Sequence, residues 1–167
     1  MIAPLHRCSA ATWRKPRNPN LERLCYTSAT MTIKERNQDL NMVVELVREH
    51  LFEHLDDNEL CKDMCAVIAI NLRRVHDDTE KSANAWDKRA FHTKADELRR
   101  DMAWAMPMSQ VAETLAYSSQ RFSGDDADQL LSLLPEALDM PKRARFKNVE
   151  MVRGAAGAAR HTLLKKK

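Results

Sequence analysis

Glycine is almost absent from this chain. The 167 residues contain three glycines, Gly124, Gly154 and Gly157, so the first 123 residues have none. Hairpins and tight turns depend on glycine because it adopts positive φ without steric cost. The scarcity therefore argues against a β-rich fold, and against a glycine-rich phosphate loop before residue 124.

From residue 33 onward, apolar residues recur at helical spacing. The first stripe consists of Leu40, Val43, Val44, Val47, Leu51 and Leu55. The predicted helices span residues 33–55, 58–75, 79–105 and 110–122, followed by a fifth helix capped by Asp125 or Asp126 and a basic sixth helix from Pro141. The third of these would be about 40 Å long. We therefore predict an all-α fold, a single bundle of about five to six helices with a long central helix.

Polar residues and prolines define the predicted boundaries of these helices. Asp57 is expected to cap the second helix, and Asp77–Glu80 resembles a capping box that opens the third. Pro107 is expected to end that third helix, Ser109 to cap the fourth, and Ser123-Gly124 to stop the fourth.

The charge of the chain is unevenly distributed. The net charge is +3, but residues 1–30 carry +4, residues 31–140 carry −9 and residues 141–167 carry +8. Such asymmetry indicates a tail or face that meets a polyanion or an acidic partner. It does not identify that partner.

Composition also suggests how the chain is divided. Residues 1–30 are rich in arginine, proline, serine and threonine with almost no acid, which predicts a disordered N-terminal extension or a transit-like segment. Residues 31–153 are predicted to form the helical bundle domain. Residues 154–167 are small and weakly patterned, and we expect a flexible basic tail there.

The expected compartment follows from hydropathy and cysteine usage. No stretch approaches the roughly 18 consecutive apolar residues of a membrane helix, so we expect a soluble protein without a membrane partner. The four cysteines do not resemble a disulfide framework, which favours a reducing compartment. The predicted location is cytoplasmic, or mitochondrial or plastid if residues 1–30 are a transit peptide.

Two patterns suggest metal chemistry. His50 and His54 form an H-x-x-E-H string with Glu53, the pattern of inverted zinc peptidases, although five-residue matches are common by chance. Adding Cys61 and Cys65 from the next helix makes a Cys₂His₂ zinc site geometrically feasible, but the spacing is not that of a zinc finger and packed thiols are the simpler interpretation. No nucleophilic triad is visible. We predict a non-enzymatic protein with no catalytic residue and no cofactor, and these four residues are the candidate metal ligands.

The predicted helix 79–105 has two faces. Its core stripe consists of Phe91, Ala95, Leu98, Met102 and Ala105. Its opposite face carries Trp86, Arg89, Thr93, Glu97, Arg100 and Trp104. Aromatic and arginine side chains stack on bases, pair with phosphates and dominate protein–protein hot spots. The alternative is that both tryptophans pack beneath neighbouring segments.

The strongest basic cluster is Lys142-Arg143-Ala144-Arg145-Phe146-Lys147. On a helix it would track phosphates, each contact adding salt-dependent affinity without sequence preference. The alternatives are a solvated basic face and a helix that docks on the acidic middle of its own chain.

These features predict a small helical binding subunit or adaptor that contacts nucleic acid or a ribonucleoprotein complex. The candidate binding residues are Trp86, Arg89, Arg100, Trp104, Lys142, Arg143, Arg145 and Lys147. A second hypothesis is a protein–protein interaction or self-assembly module that uses the Trp86/Trp104 face, with a protein partner or a homo-oligomer as the product. A third is a zinc-bound helical hairpin at the histidines and cysteines named above.

Overall fold

A computed structural model describes residues 31–164, with the side chains of residues 31–160. The predicted N-terminal extension, residues 1–30, lies outside the described residues. The α-helices are Ile33–Glu45 (α1), Asn58–Asp87 (α2), His92–Asp101 (α3), Ala105–Tyr117 (α4), Gly124–Leu133 (α5) and Ala155–Leu164 (α6). A π-helical stretch spans Leu46–His50, a short turn of α-helix spans Leu51–Glu53, and a 3₁₀-helix spans Val149–Val152. No strand occurs within residues 31–164, so the all-α prediction is confirmed.

The long helix α2 forms the centre of the bundle. It contacts α1, α3, α4 and α6, and its first half is buried on nearly every side. A helix that is apolar around its whole circumference is stable only inside a core. That core includes Met64, Ile68 and Leu72 of α2 together with Leu46 and Leu51 of the preceding segment, all fully buried. The predicted bundle with a long central helix is confirmed.

α2 continues through a predicted helix boundary. Asp57 caps its start as expected, accepting a hydrogen bond from the Leu60 backbone N–H at 3.1 Å. The Asp77–Glu80 capping box, in contrast, lies inside α2. Asp78 is buried and accepts a hydrogen bond from Arg36 Nε of α1 at 3.1 Å. Because this carboxylate pairs with a neighbouring helix instead of capping its own, the predicted boundary is wrong.

The chain turns between α2 and α3 at residues 88–91. Ala90 has a φ of 62°, in the left-handed region that residues other than glycine rarely adopt. The Phe91 backbone N–H donates to the Trp86 carbonyl oxygen at 3.0 Å, which closes the end of α2. No glycine or proline marks this turn in the sequence.

α3 folds back against the end of α2. Arg99 Nη2 donates to Asp87 Oδ2 at 2.7 Å and to Asn84 Oδ1 at 3.0 Å. These contacts stabilise a reversal of chain direction that the spacing of apolar residues in the sequence does not predict. The predicted helix 79–105 is therefore wrong, because its residues are divided among α2, the turn, α3 and the start of α4.

α4 begins five residues earlier than the predicted fourth helix. Pro107 lies in its first turn, where a missing N–H is tolerated, and does not end a helix. Ser109 is buried inside α4 and its hydroxyl donates to the Ala69 carbonyl oxygen at 2.7 Å, so it is not a cap. Small residues on both helices, among them Ala66 and Ala112, are fully buried and fit such a close approach of α4 to α2.

The C-terminal third differs most from expectation. Ser123 caps α5 in a reciprocal capping box with Asp126 and does not stop the preceding helix. The predicted basic helix from Pro141 does not form, since residues 135–148 contain only turns and irregular backbone. The tail predicted from Gly154 begins instead with a helix, α6, which packs on α2. Asp63 of α2 accepts the backbone N–H groups of Gly154 and Ala156 at 2.7 and 2.8 Å and so fixes the start of α6.

Within the described part of the chain, none of the helices combines the length and the apolar composition needed to cross a membrane.

Candidate functional site

The basic cluster lies on an irregular segment that the bundle holds in place. We call residues 142–147 the basic segment. Phe146 is buried, whereas Lys142, Arg143, Arg145 and Lys147 are exposed. The apolar ring therefore attaches the segment to the core, and the charged side chains remain on the surface.

Glu45, at the end of α1, anchors the basic segment through its backbone. Its side chain is fully buried, and its Oε2 and Oε1 accept hydrogen bonds from the backbone N–H groups of Arg145 and Phe146 at 2.6 and 2.9 Å. Hydrogen bonds to an ionised carboxylate are shorter and stronger than neutral ones. The same bonds explain why the predicted helix is absent, because these two N–H groups are used outside any helix.

The four basic side chains make no ion pair with the described residues. The ion pairs of the C-terminal part involve Arg153 instead, which lies 2.7 Å from Asp57 and 2.6 Å from Glu150. The basic segment does contact the acidic middle of its own chain, through backbone N–H groups at Glu45 and without forming a helix. Its charged side chains pair with none of the described carboxylates.

The tryptophan and arginine candidates do not share a helix face. Trp86 lies near the end of α2, Arg89 in the turn, Arg100 near the end of α3, and Trp104 just before α4. Both arginines are exposed and both tryptophans are half-buried. No ring contact joins the two indoles. The helical spacing of these residues in the sequence thus does not produce the predicted binding face.

The predicted core stripe of the same region is also only partly correct. Trp104 packs against the hydrophobic core, together with Met102 and the fully buried Ala105. Phe91, expected in the core, is 53% exposed beside the turn. The break between α2 and α3 explains this exposure. Phe91 directly precedes the first residue of α3 and has non-helical dihedral angles, so its side chain does not follow the periodicity of the helix.

Cys61 and Cys65 do not join the histidines in a metal cluster. Both thiols are buried, and Cys61 Sγ donates to the backbone carbonyl oxygen of His54 at 3.1 Å. Burial, with nearby carboxylates, raises the pKa of the Cys61 thiol to about 11, and burial raises that of Cys65 further. A thiol that resists ionisation is a poor metal ligand, so both cysteines behave as packed apolar groups.

His50 and His54 instead lie beside carboxylates of their own helical segment. Ligand atoms of His50, Glu53 and His54 lie within 4.8 Å of one another, and those of Glu45, Glu49 and His50 form a second such group. The two imidazole rings stack with centroids 6.3 Å apart. The H-x-x-E-H string therefore does bring its side chains together, although the hairpin site with the cysteines is not formed.

The π-helical stretch creates the contact between Glu45 and His50. Residues five apart in an α-helix lie about 140° apart around the axis. Hydrogen bonding from i to i+5, as from the Leu51 N–H to the Leu46 carbonyl oxygen, places them on one side. His50 Nε2 accordingly lies 3.5 Å from Glu45 Oε1. Sequence reasoning missed Glu45, and the only signal for it was an acidic residue within an apolar stripe.

Comparison with known proteins adds no family. No family model matches the chain, and neither curated proteins nor solved structures show a significant similarity to it.

Proposed function

We propose that the protein is a non-enzymatic helical binding module that contacts nucleic acid through the basic segment. The observation that carries this proposal is the display of four exposed basic side chains, unpaired among the described residues, on a backbone anchored to the bundle core.

The chemistry of the basic segment suits a phosphate backbone. Lysine provides a compact charge and arginine a planar fork that pairs with two phosphate oxygens. Anchoring by Glu45 and Phe146 lowers the ordering cost of binding, because the segment need not be immobilised when the ligand arrives. In this proposal a nucleic acid, alone or in a ribonucleoprotein complex, is contacted through its backbone and without sequence preference.

Salt dependence provides the quantitative test. Four phosphate contacts would make log K fall with log salt at a slope of about −3 to −4 on duplex DNA. We would measure fluorescence anisotropy of labelled single-stranded RNA and duplex DNA against the full chain across a salt series. Charge reversal at Lys142, Arg143 and Arg145 together should abolish binding.

The matched control reverses three exposed lysines elsewhere, Lys34, Lys88 and Lys94. It changes the net charge equally but leaves the basic segment intact, so it should retain most of the affinity and the salt slope. Equal loss in both variants would indicate an unspecific effect of net charge and contradict the proposal. Unchanged binding after reversal of the basic segment would also contradict it.

A second candidate is self-association through the end of α2. It is favoured by Phe91, which is 53% exposed and whose backbone N–H bonds to the carbonyl oxygen of the half-buried Trp86, since exposed aromatic residues often mark protein contacts. Sedimentation at several concentrations should then show an oligomer that Phe91→Ser dissociates. A monomer at every concentration would exclude this candidate.

A further inference from the structure

His50 is half-buried and makes no side-chain hydrogen bond with the described residues. Its side chain is 15% exposed, and both ring nitrogens are fully shielded from solvent yet lack a hydrogen-bond partner. The nearest polar atoms are carboxylate oxygens, with Nε2 at 3.5 Å from Glu45 Oε1 and Nδ1 at 3.6 Å from Glu53 Oε2. Buried polar groups in native proteins are almost always satisfied by protein, water or a bound ligand, so these two nitrogens offer a place for a partner from outside the described residues.

We propose that His50, Glu53 and His54 bind a divalent transition-metal ion of the Zn²⁺ type. Two imidazoles and one carboxylate are the ligand types that Zn²⁺ takes in three-residue sites completed by water. Their ligand atoms lie within 4.8 Å of one another. Bonds of about 2.0–2.1 Å in tetrahedral geometry need donors about 3.3 Å apart. His50 Nδ1 and Glu53 Oε2 already lie 3.6 Å apart, and rotation of the partly exposed His54 side chain together with the exposed Glu53 is needed to close the remaining distances.

The two sides of the His50 ring differ in a way that assigns the ion to Nδ1. On the Nε2 side, both oxygens of the fully buried Glu45 already accept backbone N–H groups. On the Nδ1 side, Glu53 is 65% exposed and His54 is partly exposed, so an ion from solvent meets these two side chains first and reaches the shielded Nδ1 as they rotate. The second acidic neighbour, Glu49, lies with Glu45 and so belongs to the less accessible group.

Glu45 acts as a positioning residue for this site. A metal-binding histidine usually donates its other ring N–H to a carboxylate, which sets the tautomer and strengthens the ligand. With the ion on Nδ1, the ring proton lies on Nε2, which faces Glu45 Oε1 at 3.5 Å and so holds the orientation of the ring. The edge of the ring also contacts Phe146, whose centroid lies 6.0 Å away. The site thus adjoins the anchor of the basic segment, but its chemistry does not depend on nucleic acid.

Metal binding by the purified full chain tests the proposal. We expect isothermal titration calorimetry to show one Zn²⁺ bound per chain, with binding lost when this site is mutated. Co²⁺ should give d–d absorption without a thiolate charge-transfer band. Glu53→Gln and His54→Gln should each weaken binding by more than the about 10- to 100-fold that loss of an outer partner costs, because each removes a ligand. Because Glu53 is exposed, its variant keeps the fold, which circular dichroism verifies.

His92→Gln is the matched control, because His92 also lies beside a carboxylate, 3.0 Å from Asp87, but is exposed and has no third ligand within the described part of the chain. It should leave affinity and stoichiometry unchanged. Absence of Zn²⁺ binding, or equal affinity in the Glu53→Gln, His54→Gln and wild-type chains, would overturn the proposal. A thiolate band with Co²⁺ would assign the ion to cysteine. Loss in Glu49→Gln with Glu53→Gln unaffected would place it at the other ring nitrogen, which also refutes the assignment.

Discussion

Replacing Glu45 by glutamine should release the basic segment from the bundle. The wild-type carboxylate accepts two backbone hydrogen bonds, at 2.6 Å from Arg145 and 2.9 Å from Phe146. Glutamine has nearly the same shape but only one oxygen. Its amide –NH₂ must therefore face one of the two backbone N–H groups, and neither group can accept.

The expected magnitude follows from these two bonds. A hydrogen bond to a charged group contributes about 1.5–3 kcal/mol, and a neutral one about 0.5–1.5 kcal/mol. Losing one charged bond and weakening the other costs roughly 2–4 kcal/mol. Part of this cost is offset because the variant no longer has to bury a charged side chain. We expect a net loss of about 1–3 kcal/mol, equivalent to roughly a 5- to 150-fold change in the equilibrium that opens the segment.

Native-state hydrogen exchange measures this change locally. The amides of Arg145 and Phe146 should be protected in the wild-type chain and exchange faster in Glu45→Gln, whereas amides in the middle of α2 should lose protection only with global stability. Glu49→Gln is the control, because Glu49 is exposed on the same segment and its substitution should change stability by less than about 0.5 kcal/mol. Equal exchange of both amides in wild-type and Glu45→Gln chains would refute the anchoring role.

Three further predictions concern a turn, an ion-pair cluster and a thiol. Ala90→Gly should raise the free energy of unfolding in urea by about 1 kcal/mol, since glycine adopts a φ of 62° without strain; no gain would contradict this. Arg153 holds the pKa of Asp57 and Glu150 below their ordinary values of 3.8 and 4.5. The resulting stabilisation is complete above those values and is lost as pH falls through the lowered ones, so Arg153→Gln should flatten the acid limb of the Tm–pH profile, and an unchanged limb would count against it. Burial and nearby carboxylates raise the pKa of the Cys61 thiol to about 11. Iodoacetamide should therefore label it far more slowly in the native chain than in urea, as peptide mapping would show; equal rates would disprove its burial.

Local patterns predicted the helical class and some of the caps. Asp57 caps α2 as its position before an apolar stripe suggested. The pattern predicts Ser123 as the end of one helix, whereas it caps the next. Both caps depend on a hydrogen bond between residues three apart, which sequence spacing can predict. The prediction fails at Ser123 because a polar residue between two helices can either end the first or cap the second.

The candidate site was less predictable because its geometry depends on distant partners. The basic segment was identified from its charges, but its backbone was expected to be helical. Glu45 prevents this from a position about a hundred residues earlier in the chain. The predicted face with Trp86 and Trp104 does not form, for a related reason. The chain reverses at Ala90, and this reversal is stabilised by Arg99 across the turn and not by a glycine or proline that the sequence would show.

The sequence by itself determined that this protein is built from helices. Helical periodicity and the lack of glycine act on each segment separately, so they determine class without knowledge of the partners. Only the tertiary structure decided where the central helix ends, that residues 142–147 are not helical, and which side of His50 faces the exposed Glu53. The physical reason is that buried carboxylates must be satisfied. At Asp63, Asp78 and Glu45 they take their hydrogen bonds from groups far away in the chain, and these bonds override local propensity.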